Sequence, residues 1–280
     1  MKSMVSLLAT LAVATTTAHA ADGLRVLYLS KSSGFQHSVV ALQDGKPSHS
    51  DQVLTQLAQQ WGATITCTKD ASLINAENLK NYDLVVFYTT GNLTEPGNAD
   101  EGAVMGPNGM DELLAWIKQG GGFMGFHAAT DTAHETEPGK PTPYIQMVGA
   151  EFLSHGAPFK GTLDVVDPDH PTMANFEDGW KVHDEWYLFK NINKEKMHVL
   201  ALLDPGDRGK EDGKYAIPPY PMVWCMAYGQ GRVYFNGMGH FEDVWSDPAF
   251  QQTVVDAAEW VTGTGPADAE PNYDATVPEK

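Results

Sequence analysis

What most constrains this chain is a pattern in its first half: short apolar runs without polar alternation, each separated from the next by a helix with one apolar stripe. Residues 24–30, 84–89 and 123–126 carry apolar side chains on both faces. A strand of that kind belongs in a parallel sheet covered on both sides, because a half-solvated antiparallel strand alternates apolar with polar. The intervening segments fit. Val53, Leu54, Leu57 and Ala58 recur at helical spacing after Ser50, a candidate N-cap, and Gly62 stops that helix. Leu113, Leu114 and Ile117 share one face of residues 110–119, ahead of Gly120-Gly121-Gly122. Residues 63–68 add a strand and 76–80 a short helical stretch. The expected fold is α/β: a mainly parallel sheet with helices on both faces.

The second half is less regular. Strands are expected at 161–166, 198–203, 222–228 and 232–238, the last two joined by Gly229-Gln230-Gly231, a hairpin signal. Residues 250–261 form a last amphipathic helix. From 263 to 280 the chain is rich in Pro, Asp and Glu and is expected to be a loosely held strap. Residues 1–20 form a separate unit, with Lys2 near the start, an apolar stretch at 4–15 and the small-x-small site Ala18-His19-Ala20. That is the pattern of a secretory signal, which makes 21–262 the folded domain and places the protein outside the cytoplasm, secreted or periplasmic. No later run reaches the roughly 20 apolar residues that span a bilayer. Cys67 and Cys225 both sit in apolar runs and are read as buried thiols, although an oxidising compartment would permit pairing. The net charge of −18 argues against a nucleic-acid partner, which would require clustered Lys and Arg.

In a parallel sheet, ligands bind in the crevice outside the carboxyl ends of the strands. The residues just past each expected strand are therefore the useful filter. Gly34-Phe35-Gln36-His37 lies past the first, His127-Ala128-Ala129-Thr130-Asp131 past the fourth, and Gly239-His240-Phe241-Glu242-Asp243 past a late one. Three histidines thus emerge at strand ends expected to share one rim.

These stretches, with Asp169-His170-Pro171, His183-Asp184-Glu185-Trp186-Tyr187-Leu188-Phe189 and Gly229-Gln230-Gly231-Arg232, occur in an order that resembles the ThuA-like (trehalose-utilisation) family. That resemblance covers nearly all of the chain from residue 21 to 261. It implies the flavodoxin-like fold of class I glutamine amidotransferases and a link to sugar utilisation. Those amidotransferases carry a Cys nucleophile on a sharp strand-to-helix turn, whereas here that turn carries His127, and neither cysteine lies at an expected strand end. Glutaminase chemistry is disfavoured.

The crevice is then expected to hold His37, His127, Asp131, His183, Asp184, Glu185 and His240, with Asp243 as a further candidate. Two chemistries stay open: acid–base catalysis on a neutral glycoside or keto-sugar, with His127 and His240 as acid and base and Glu185, Asp184 or Asp131 assisting, or a divalent metal such as zinc on His37, His127, His240 and Glu185. Substrate contacts are expected from His37, His183, His155 on the rim, and Trp186 and Trp245 as stacking platforms for a small carbohydrate. A non-catalytic sugar-binding protein on the same fold is the alternative.

Overall fold

The computed structural model describes residues 23–97 and 102–279. In chain order the first half runs β1 (Arg25–Leu29), α1 (His49–Trp61), β2 (Thr64–Thr68), α2 (Ala76–Leu79), β3 (Leu84–Phe87), α3 (Gly109–Lys118) and β4 (Gly122–Phe126). Next come α4 (Pro143–Val148), β5 (Glu151–His155), β6 (Phe159–Val165), β7 (Trp180–Asp184) and β8 (Tyr187–Lys190). The chain continues with β9 (His198–Asp204), α5 (Arg208–Glu211), β10 (Tyr220–Tyr228), β11 (Gly231–Asn236), α6 (Glu242–Ser246), α7 (Pro248–Val261) and α8 (Tyr273–Thr276). The expected signal segment, residues 1–20, lies outside the described residues.

Nine strands form one sheet in the order β2-β1-β3-β4-β11-β10-β9-β6-β7, and β5 pairs with β8 in a separate ribbon. The strands from β2 to β11 are mutually parallel. From β11 onward every pairing is antiparallel, so the parallel sheet expected from the sequence carries an antiparallel wing of equal weight. The apolar runs show why the first half is doubly covered. Val26 and Tyr28 pack with Leu54 and Leu57 of α1 and Val254 of α7 on one face, while Leu27 and Leu29 pack with Leu113, Leu114 and Ile117 of α3 on the other.

Two local details differ from expectation. Helix α1 is capped by Ser48 rather than Ser50: Ser48 accepts from the Asp51 amide, and the Asp51 carboxylate accepts from the Ser48 amide in return. Gly62 ends the helix in the left-handed conformation, with φ +76°. The C-terminal segment, expected to be loosely held, is pinned instead. Arg232 donates to the carbonyls of Thr264, Gly265 and Pro266, His170 and His198 bond the carbonyls of Asp268 and Glu270, and the Asn272 side chain bonds both backbone groups of Val199. Backbone carbonyls need no particular side chain to accept these bonds, so composition gave no sign of them. Both cysteines are free. No helix among the described residues is long and apolar enough to cross a membrane.

Candidate functional site

His127 is the first residue after β4 and turns the chain sharply, with φ +39°. A non-glycine residue in that region is held there at a cost of about 1–3 kcal/mol, a strain that tends to accompany function. Its fully buried ring places Nδ1 3.1 Å from the Gly237 carbonyl. A carbonyl only accepts, so Nδ1 carries a proton and Nε2 is the nitrogen that faces the crevice.

Three other side chains meet that nitrogen. His240, four residues beyond β11, places Nδ1 3.3 Å from His127 Nε2. Glu185, which links β7 to β8, brings Oε2 within 3.1 Å of His240 Nδ1 and 3.6 Å of His127 Nε2. His37, in the loop after β1, packs edge-on against both imidazoles with ring centroids 5.0 Å away. One ligand atom from each of His37, His127, Glu185 and His240 lies within 4.8 Å of all the others.

The electrostatics follow from burial and neighbours. Burial, reinforced by the nearness of His127 and His240, pushes His37 well below the ordinary histidine value and keeps it neutral. Burial acts to raise Glu185, but the His127 and His240 imidazoles outweigh it and hold the carboxyl far below its usual range. His37 Nδ1 is buried without a hydrogen-bond partner. An orphaned imidazole nitrogen, two further imidazoles and an ionised carboxylate within 4.8 Å of one another together fit a zinc-like divalent cation.

The remaining expected residues separate. His155, the last residue of β5, joins the cluster from the solvent side, with Nδ1 3.0 Å from Glu185 Oε1. Asp184 faces backbone instead: its carboxylate accepts from the amides of Gly239 at 2.7 Å and His240 at 3.1 Å, so it anchors the loop that carries His240 and is fully buried. Asp131 is drawn away by His134, whose Nε2 lies 2.7 Å from Asp131 Oδ1 and whose Nδ1 lies 2.8 Å from Glu151 Oε1. His183 points outward from β7 and stacks on Phe241. Trp186 and Trp245 are both fully buried and donate their indole N–H groups to the carbonyls of Phe159 and Gly239. With no face exposed they are core residues rather than sugar platforms.

Three aromatic residues not singled out as site residues from sequence line the centre. The Tyr187 ring packs 4.2 Å from that of His127, and its hydroxyl lies 3.3 Å from His37 Nε2. Tyr88 donates its hydroxyl to Gly239 O and touches both His37 and His127. Phe35, 66% exposed, sits edge-on to His37 at the mouth and offers an open ring face. The two tyrosines continue apolar strand runs, so composition alone marks them as core. Phe35 had a signal, being a large aromatic in a Gly-containing loop.

The family model described as ThuA, trehalose utilisation, matches residues 25–261. Among solved structures the chain is similar to a ThuA-like protein from Bacteroides uniformis, with a TM-score of 0.64 at 20% identity over 87% of this chain and 93% of that one. It is also similar to a ThuA-like protein from Parabacteroides merdae, with a TM-score of 0.64 at 16% identity over 91% and 96%. A cytoplasmic protein from Salmonella typhimurium gives 0.54 at 13% identity over 85% and 99%. No curated protein matches.

Proposed function

The chain belongs to the ThuA trehalose-utilisation family, and on that premise we propose that it is an enzyme acting on a neutral glycoside or keto-sugar at the cluster of His37, His127, Glu185 and His240. The observation that carries this reading is the convergence of three imidazoles and one ionised carboxylate at the carboxyl ends of parallel strands, where such sheets place their ligands. A protein that only binds sugar needs amides, aromatic rings and carboxylates, and has little use for three histidines in contact.

The same four side chains would hold a divalent cation, which when bound would polarise a sugar oxygen or acidify a water molecule. The roles of the chain's own groups follow from their atoms. Gly237 O fixes the His127 tautomer, so that Nε2 faces inward. Glu185 stays ionised, with Oε2 3.1 Å from His240 Nδ1 and Oε1 3.0 Å from His155 Nδ1. His155 is 41% exposed and stands between the buried carboxylate and solvent. Phe35 supplies the apolar face on which a pyranose ring stacks. Asp184 keeps His240 in place through two backbone amides.

Glucosides and their 3-keto forms, incubated with the protein and followed by chromatography before and after chelation, test the proposal. Turnover that chelation removes supports the metal-assisted form, and turnover that survives supports His–Glu acid–base chemistry. Saccharide binding without turnover, with or without added zinc, would overturn the enzyme reading in favour of a sugar-binding protein. We further propose export directed by residues 1–20, for which mass spectrometry of the mature protein should find Ala21 as its N-terminus.

A further inference from the structure

Beside the cluster, on the outer side of β7, lies a cavity. It has a volume of about 430 Å3 between β7 and α6, within the roughly 300–1,000 Å3 typical of small-molecule sites. Along β7 burial alternates, with Val182 and Asp184 buried and Lys181 and His183 exposed, and Trp180, Lys181, Val182 and His183 line one side of this groove. Opposite them stand Phe241, Glu242 and Asp243, and the half-buried Trp180 closes one end.

The groove is coupled to the cluster by the chain itself. Asp184 holds the amides of Gly239 and His240, and Gly239, at φ +114°, makes the turn that aims His240 inward and leaves the next residue, Phe241, facing outward. The Phe241 ring contacts the His240 ring at 4.5 Å and stacks on His183 at 5.5 Å with 22° between the planes. Phe241 therefore touches the cluster through His240 and lines the groove.

The lining combines stackable rings with polar groups that the fold leaves unused. Among the described residues, the side chains of Lys181, His183, Glu242 and Asp243 make no hydrogen bond or ion pair with another group of the chain. Stackable rings with idle donors and acceptors around them are what a pyranose requires, since its faces are apolar and its rim is hydroxylated. The carboxylates Glu242, Asp243 and Asp247 repel an anion, which narrows the class to neutral sugars.

We propose that this groove is a second carbohydrate subsite, which takes the neutral sugar unit that extends past His240 when the first unit occupies the cluster. The inference rests on the carbohydrate reading above and specifies its substrate as a disaccharide or longer rather than a single sugar. Trp180 and the Phe241–His183 pair grip the second ring, and Lys181, Glu242 and Asp243 bond its hydroxyls.

Calorimetric titration of the full chain with methyl glucoside, trehalose and maltotriose tests it, using wild type, Trp180→Ala and Asp243→Ala. Wild type should bind the longer saccharides more tightly than methyl glucoside. Trp180→Ala should weaken their binding about tenfold, the loss of one good stacking contact. Asp243 is exposed, so Asp243→Ala leaves the fold intact and should weaken the longer saccharides about threefold even if Trp180→Ala is poorly folded. Equal affinity for all lengths in wild type, or variants that keep the full gain, would overturn the subsite while leaving the carbohydrate reading standing. Failure of wild type to bind any of the three, or the 3-keto glucosides titrated beside them, would overturn both.

Discussion

The parallel half of the sheet and its antiparallel wing supply the same centre by different routes. In the parallel half, His37, His127 and His240 come after β1, β4 and β11, so topology alone brings three imidazoles to one rim. On the other side, Glu185 arrives from the link between β7 of the wing and β8, and His155 from the end of β5 in the separate ribbon, where no rule of strand ends places them. The parallel half supplies the imidazoles, and the β7–β8 link adds the carboxylate that they surround. A centre assembled across such a junction depends on both halves, and each can be removed separately.

The largest effect is expected from the parallel side. His127→Asn, chosen because asparagine tolerates positive φ, should lower turnover about 10³-fold. A loss under tenfold would make that imidazole structural. From the wing, Glu185→Gln keeps the shape and removes the charge, and should lower turnover about 100-fold in steady-state kinetics; if it matched wild type, the wing would be scaffold alone. Trp186→Phe should cost about 1–3 kcal/mol in urea unfolding through a lost buried hydrogen bond and lost volume, with saccharide affinity unchanged. Unchanged stability with weakened binding would return Trp186 to the site.

The smallest effect concerns the network beside the cluster. Hydrogen bonding to Asp131 and then to Glu151 raises His134 above its ordinary value, against the opposing effect of burial. A raised histidine stabilises the fold fully below its unfolded value, near pH 6.5, and that contribution is lost as pH climbs through the folded value. His134 is 39% exposed, so after solvent screening His134→Gln should cost under about 1 kcal/mol at pH 6 and less still at pH 9. Equal costs at both pH values would show that the imidazole is not charged there.

The same contrast explains what was legible in the sequence. Strands β1, β3 and β4 declare themselves by apolar runs that need cover on both sides, and His127 and His240 follow from their positions after strand ends. Glu185 was recognisable through the His183–Phe189 motif and not through periodicity, because β5 and β7 carry Glu151, Ser154, His155, Lys181 and His183 among their few apolar residues and show no continuous apolar run. Asp184 and Asp131 have the residue type of the site but different partners. One answers the backbone amides of the His240 loop, and the other answers His134. Whether a carboxylate faces a cavity or an amide depends on tertiary packing that residue type does not report. Trp186 and Trp245 were misplaced for the same reason, since an indole beside a site residue in sequence can point into the core.

The most direct test of the central claim, that four side chains drawn from both halves form one divalent-cation centre, is zinc calorimetry on the metal-stripped protein alongside elemental analysis. Wild type should take up about one ion per chain, Glu185→Gln and His127→Asn should each weaken it at least tenfold, and Trp186→Phe should bind as wild type does. No uptake by wild type, or equal affinity in the Glu185→Gln and His127→Asn variants, would contradict it.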